Sequence, residues 1–233
     1  MYEKRYPDDR WDNFSNYSSG RLYKRLKKQI FQEQGELYAY CESKVEKSYK
    51  QRVEHINDKS NSTATDNLHL QWTNLIGVCL GGSDIQNREN PLFPTPANLS
   101  CDAYKDHKNI SYKEVLNPLE IQAFPNLFKF NKRNHELEVN ECKCQEAGID
   151  TQFVKDTIVN LNLNCDRLKT ARHQILIAYN REVEKGRKAK DREVMKKLAN
   201  KWFSQKFPSF FTTRRDLLGK HAEEYLLRVN YNG

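Results

Sequence analysis

Three short runs carry residue types that can do chemistry together. Val53-Glu54-His55-Ile56 places an acid beside a histidine, Trp72-Thr73-Asn74-Leu75-Ile76 follows, and Cys101-Asp102-Ala103-Tyr104-Lys105-Asp106-His107-Lys108 comes last. Taken alone, a Glu-His pair is common on surfaces and in turns. Together the three suggest phosphodiester hydrolysis. A neutral imidazole is suited to take a proton from water near neutral pH. A hard divalent cation such as Mg²⁺ would polarise the phosphate, and such cations take oxygen ligands. Successive side chains on a strand alternate faces, so Glu54 needs a local bend to reach a metal while His55 faces water. The Asn74 amide oxygen is expected to fix the tautomer of His55. Asp102, with Asp106 one helical turn later, is expected to supply the remaining carboxylate.

The elements that must position these residues read as an α+β chain. Apolar residues are 37%, charged residues 30% and mean hydropathy −0.92, which favours a small core with long amphipathic helices. Residues 1–18 read as an irregular lead-in. A helix is expected over 21–34, with Leu22, Leu26, Ile30 and Phe31 on one face, Ser18 or Ser19 as cap and Gly35 as stop. Polar loops are expected at 58–67 and 81–100, and loops of that length are often functional. Residues 101–108 read as a short helix, and 127–130 with 137–139 as a hairpin. Cys142 and Cys144 are expected on a strand. Helical periodicity runs from Thr151 to about Arg181. A basic helix follows at 191–203, Pro208 ends it, and a last helix covers 215–229. The resulting division is a lead-in and helix at 1–35, a catalytic core at 36–108 and a helical region at 109–233.

The net charge of +8 suits a polyanionic partner such as DNA or RNA, because neutralised phosphates release counterions. Residues 181–220 hold 13 Lys and Arg against 5 Asp and Glu, a surplus equal to that of the whole chain. A solvated helix face would show the same surplus. No window is apolar enough for a membrane span and the N-terminus lacks a signal-peptide stretch, so a cytoplasmic protein is expected. Six cysteines in such a chain point to reduced thiols or metal ligands rather than disulfides.

The order of an acidic-His pair, an Asn and a final acid resembles the HNH nuclease ββα-metal motif. The run QEQGELYAYCE, VEHINDKS, WTNLIGVCLGG and CDAYKDHK is more closely similar to the HNH nucleases of the Septu anti-phage system and their retron-associated relatives, the PtuB type. TIVNLNLNCDRLKTAR at 157–172 extends the likeness, which covers roughly residues 20–180. It implies a ββα-metal core embedded in a mainly helical chain, with His55 as general base, Asn74 orienting it, Glu54 and Asp102 as metal ligands, and Lys105 and Lys108 toward nucleic acid. It also implies anti-phage defence with a PtuA-like ATPase partner, and a link to a retron reverse transcriptase and its DNA. Two departures stand out. Tyr38 occupies the first cysteine of the family's knuckle, leaving Cys41, Cys79 and Cys101 as three candidate ligands of a structural Zn²⁺ that needs four. Asp58 replaces the usual proline after the histidine. The competing readings are an inactive HNH-like nucleic-acid-binding module and a subunit whose helical half docks on an ATPase.

Overall fold

The computed structural model describes residues 6–63, 65–84, 89–204 and 207–232. Its central element is set by two five-residue strands. β1 (Gln51–His55) alternates half-buried and buried positions toward its end, whereas β2 (Leu75–Cys79) is an unbroken buried apolar run, LIGVC. They pair antiparallel with His55 opposite Leu75, Glu54 opposite Ile76 and Val53 opposite Gly77. Directly opposed residues share a face, so the sheet presents two different surfaces.

On the face of Val53 and Leu75 lie α1 (Trp11–Asn16) and α2 (Arg21–Glu33), through Trp11, Tyr23, Leu26 and Ile30. Phe31 of α2 lies over Gly77, where no side chain stands in its way. Ile76 and Val78 pack with Ile56, Tyr40 and Tyr112. α3 (Cys101–His107) lies against β2 and completes a ββα unit. A second hairpin, β3 (Phe128–Phe130) with β4 (Leu137–Val139), precedes α4 (Glu141–Ala147), α5 (Thr151–Asn160) and the long α6 (Asp166–Lys188). α7 (Val194–Phe203), α8 (Phe211–Leu218) and α9 (Lys220–Arg228) close the chain around Leu198, Ala199, Leu218 and Ala222. Mixed helices and small antiparallel sheets agree with the α+β expectation. Among the described residues no helix is long and apolar enough to cross a membrane.

One half-buried and one buried charged side chain join the distant parts of the chain. Glu42 accepts hydrogen bonds from the Thr212 backbone N–H and hydroxyl, placing a carboxylate at the first turn of α8. Burial raises its carboxyl pKa against those bonds. Arg172 of α6 is 1% exposed and donates to the Asn164 side chain and the Leu163 carbonyl, pinning the turn between α5 and α6.

Several expectations are corrected. The lead-in contains α1, because Phe14 is buried and packs its ring 5.6 Å from Trp11; residues 1–5 of that lead-in lie outside the described ones. Cys142 and Cys144 sit on a helix rather than a strand. Glu141 opens its first turn and Gly148, in the left-handed region, ends it, leaving Cys144 buried and Cys142 exposed. The last expected helix is two helices, α8 and α9, divided at Gly219 (φ 52°, ψ −129°), and α8 begins at Phe211 beside Glu42. α6 also runs beyond Arg181 to Lys188. Of the expected loop 81–100, residues 85–88 lie outside the described ones.

Gly77 offers a direct test of the packing on β2. A Cβ there would lie 2.4 Å from the Phe31 ring. Gly77→Ala is expected to cost about 1–3 kcal/mol in denaturant unfolding, as overpacked cores do. Adding Phe31→Leu should recover part of that cost. Strictly additive losses in the double variant would show that the two sites do not contact.

Candidate active site

His55 ends β1 and is buried at 8% exposure. Its Nε2 lies 3.0 Å from the His69 carbonyl oxygen, which can only accept, so Nε2 carries the proton and Nδ1 keeps its lone pair. The Trp11 ring meets the imidazole edge-on at 4.6 Å, and the Trp11 backbone N–H donates to His69 Nδ1 at 3.2 Å. Burial brings the His55 pKa down to about 4, opposed in part by the bond to His69, while the Lys59 charge lowers it further. The ring is therefore neutral at physiological pH.

Glu54 points to the other face, as alternation requires. Its pKa is raised to about 8, chiefly by burial and next by the negative charge of Asp102, with Arg52 pulling the other way. Asp102 on α3 is almost fully buried. Its carboxylate accepts from Arg52 at 3.1 Å and from the Tyr112 hydroxyl at 2.8 Å, and Lys105 Nζ stands 3.4 Å away. Lys105 is itself buried and paired to Asp106 at 2.7 Å. Burial alone would lower its pKa, but the bond to Asp106 and the charge of Asp102 hold it above the usual range. The charge of Asp102 makes Glu54 costly to ionise, and such a carboxylate pair is a donor set for a hard cation, which relieves the repulsion. Glu54, His55 and Lys105 line one cleft of about 460 Å³, together with Lys59, Asn61 and Lys113. Adjacent residues on opposite strand faces thus border one space, because β1 ends there and the cleft wraps its end.

Asn74 does not meet the imidazole. Its Oδ1 accepts from Asn57 N at 2.6 Å, and its Nδ2 donates to the Asn57 and Leu68 carbonyls at 3.0 and 2.9 Å. It ties together the two stems of the loop that delivers the His69 carbonyl, and that carbonyl takes the bond expected of Asn74. Lys108 caps α3, exposed, with its ammonium 5.9 Å from the Tyr104 ring.

Cys41, Cys79 and Cys101 bring their sulfurs within 4.8 Å of one another. Cys101 takes a left-handed φ of 53°, held by its N–H to the Leu161 carbonyl at 2.7 Å. Hydrogen bonds from Cys101 and then Cys79 push the Cys41 thiol well down, and donating to Cys41 pushes Cys101 well up. The trio could hold a thiophilic metal ion. Among the described residues no fourth Cys, His or carboxylate joins it, so it does not make the closed tetrahedral shell of structural zinc. Tyr38, at the missing cysteine's place, instead donates its hydroxyl to the Lys50 carbonyl at 3.1 Å.

Sequence reasoning missed four residues of this site. Arg52 had a signal, since it shares a strand face with Glu54 two positions on. Tyr112, Trp11 and His69 had none, because each arrives from a separate loop or helix.

No family profile matches the chain, and no solved structure does either. A protein of Escherichia coli is 38% identical over 232 residues, spanning 91% of this chain and 86% of the relative's length. Its name places it with retron Ec83 and among the HNH endonucleases.

The His55 environment makes a prediction with a definite sign. The unfolded chain protonates this histidine near its ordinary value of 6.5, but the folded chain only near about 4. Stability is therefore expected to fall as pH drops through that window, because acid favours the unfolded state. Denaturant midpoints at about pH 7 and about pH 5 should differ less in His55→Gln than in the wild type. An NMR titration of the wild-type ring with a midpoint near 6.5 would contradict the buried environment.

Proposed function

This chain belongs to the HNH endonucleases, and on that premise we propose that it hydrolyses nucleic-acid phosphodiester bonds with His55 as the general base. The observation that carries the reading is that His55, Glu54 and Lys105 line one cleft on the ββα element. His55 Nδ1 is the free nitrogen, and it takes the proton of the attacking water. The His69 carbonyl holds the opposite nitrogen and so fixes tautomer and ring plane. A pKa of about 4 leaves the ring unprotonated but weakly basic. A phosphodiester entering the cleft brings negative charge, which raises that pKa toward neutrality as the reaction needs it. Trp11 and Asn74 act as positioning residues, the first through the ring and the second through the loop.

Glu54 and Asp102 would hold a divalent cation, Mg²⁺ by preference, which would supply charge neutralisation at the phosphate and the leaving oxygen. Arg52, Tyr112 and Lys105 hold the Asp102 carboxylate in place. Lys105 faces the cleft behind that carboxylate, and Lys108 lies further out toward the polymer. A structural zinc on Cys41, Cys79 and Cys101 would need a fourth donor, and no step depends on it.

The likeness to the Septu nucleases supports a PtuA-like ATPase partner and a role in anti-phage defence in the cytoplasm. The relative's name supports a retron setting, in which a reverse transcriptase and its DNA product are further partners.

Incubation with plasmid, single-stranded DNA and tRNA, with Mg²⁺ or EDTA, tests the chemistry. His55→Ala is expected to cut cleavage by about 10²–10⁴, the worth of general-base catalysis, with the fold intact. Wild-type rates in that variant would overturn the role of His55. At limiting Mg²⁺ the rate should rise with pH through about 8, since Glu54 must lose its proton to bind metal. Saturating Mg²⁺ should move that rise to lower pH, and a profile indifferent to Mg²⁺ would remove Glu54 from the metal site.

A further inference from the structure

A second groove opens on the other side of Lys59. It is about 580 Å³ and lies between residues 7–10 and the loop 59–69. Lys59 also lines the cleft that contains Glu54 and His55, so the two spaces share a wall residue. An extended ligand crossing His55 would run on into the groove.

The lining names the kind of ligand. Arg10 and Lys59 supply positive charge, and neither has a carboxylate partner among the described residues. Burial lowers the His69 pKa first, and the charges of Lys59 and Arg10 lower it further, so the three basic groups lie close together. Ser60, Thr63 and Thr65 add hydroxyls on the same wall. Apart from the imidazole of His69, no aromatic ring among the described residues lines the groove, so these residues offer no stacking platform of the kind on which single-stranded bases are usually held. Asp8 stands on the rim contributed by the N-terminal segment, while Asp58 beside Lys59 and Asp12 near His69 set negative charge against the basic groups. The walls are held together: the Asn67 amide donates to the Pro7 and Asp9 carbonyls at 2.6 and 2.9 Å, and the Asp58 carboxylate accepts from Ser60 N at 2.8 Å.

We infer that this groove binds the sugar-phosphate backbone of the polynucleotide flanking the bond to be cut, without reading its bases. The inference rests on the nuclease reading above, and it adds where the strand runs and what is recognised. Backbone contacts position a polymer and carry no sequence information, so affinity should depend on length and salt rather than on base composition.

The test measures binding rather than cleavage. Fluorescein-labelled DNA and RNA oligonucleotides of ~4 and ~12 nucleotides are titrated into full-length protein in EDTA at several salt concentrations. Arg10→Gln and Asp8→Asn are compared with wild type, both at exposed positions and both checked by thermal melting. Arg10→Gln should weaken binding of the longer probe several-fold for every base composition and reduce the salt slope by about 1. Asp8→Asn should strengthen it. The short probe, which the reaction cleft alone can hold, should bind both variants as it binds wild type. If wild type binds the longer probe and both variants match it in affinity and salt slope, the groove is not the binding track while the nuclease reading stands. If wild type binds neither probe and cleaves nothing with Mg²⁺, both readings fall together.

Discussion

The register of the β1–β2 ladder is the constraint on which the site depends. Five opposed pairs place Val53 and His55 toward α1 and α2, and Arg52 and Glu54 toward the other face. A slip of one residue would exchange the two sets, burying a carboxylate under Trp11 and turning the imidazole toward Asp102. The apolar residues of β2 resist that slip, because all five of its positions are buried and Gly77 must stay beneath Phe31. Packing that looks remote from the chemistry therefore decides which side chain faces which partner.

Each face then solves a different electrostatic problem. His55 is kept neutral by removal from water, which outweighs the His69 carbonyl that accepts its hydrogen bond and favours the charged ring. On the opposite face two carboxylates are forced near each other and the cost is met by cations and a phenol. Arg52, Lys105 and Tyr112 all contact Asp102, which leaves Glu54 as the carboxyl with the raised pKa. Removing charge from one side of β1 while concentrating it on the other is a division of labour that a single strand can make only because neighbours alternate.

The rest of the chain supports this unit through a few polar joints. Glu42 holds the start of α8, Arg172 pins the turn after α5, and the shared core around Cys41, Cys79 and Cys101 also contains Phe31, Ile158 and Leu168. The N-terminal helix contributes directly, since Trp11 contacts both His55 and, through its backbone, His69. The E. coli relative aligns over most of the chain rather than over the ββα unit alone.

Local sequence determined what local physics decides. Apolar period and Gly35 marked the helix over 21–34, though its N-cap is Gly20 and not the expected Ser18 or Ser19, and the hairpin around residues 127–139 stood out from its flanking polar turn. Residue type and order also singled out Glu54, His55 and Asp102 as candidates for chemistry. What sequence could not decide was set by contacts between residues far apart in the chain. The 14 positions separating His55 from His69 and the 50 separating Arg52 from Asp102 hold no pattern that pairs them. Nor does any local signal bring Trp11 onto the imidazole or send the Asn74 amide to the loop stems instead of the ring. Hydrogen bonds and burial at such separations follow from how helices and loops close over the sheet, and only the tertiary structure supplies that closure.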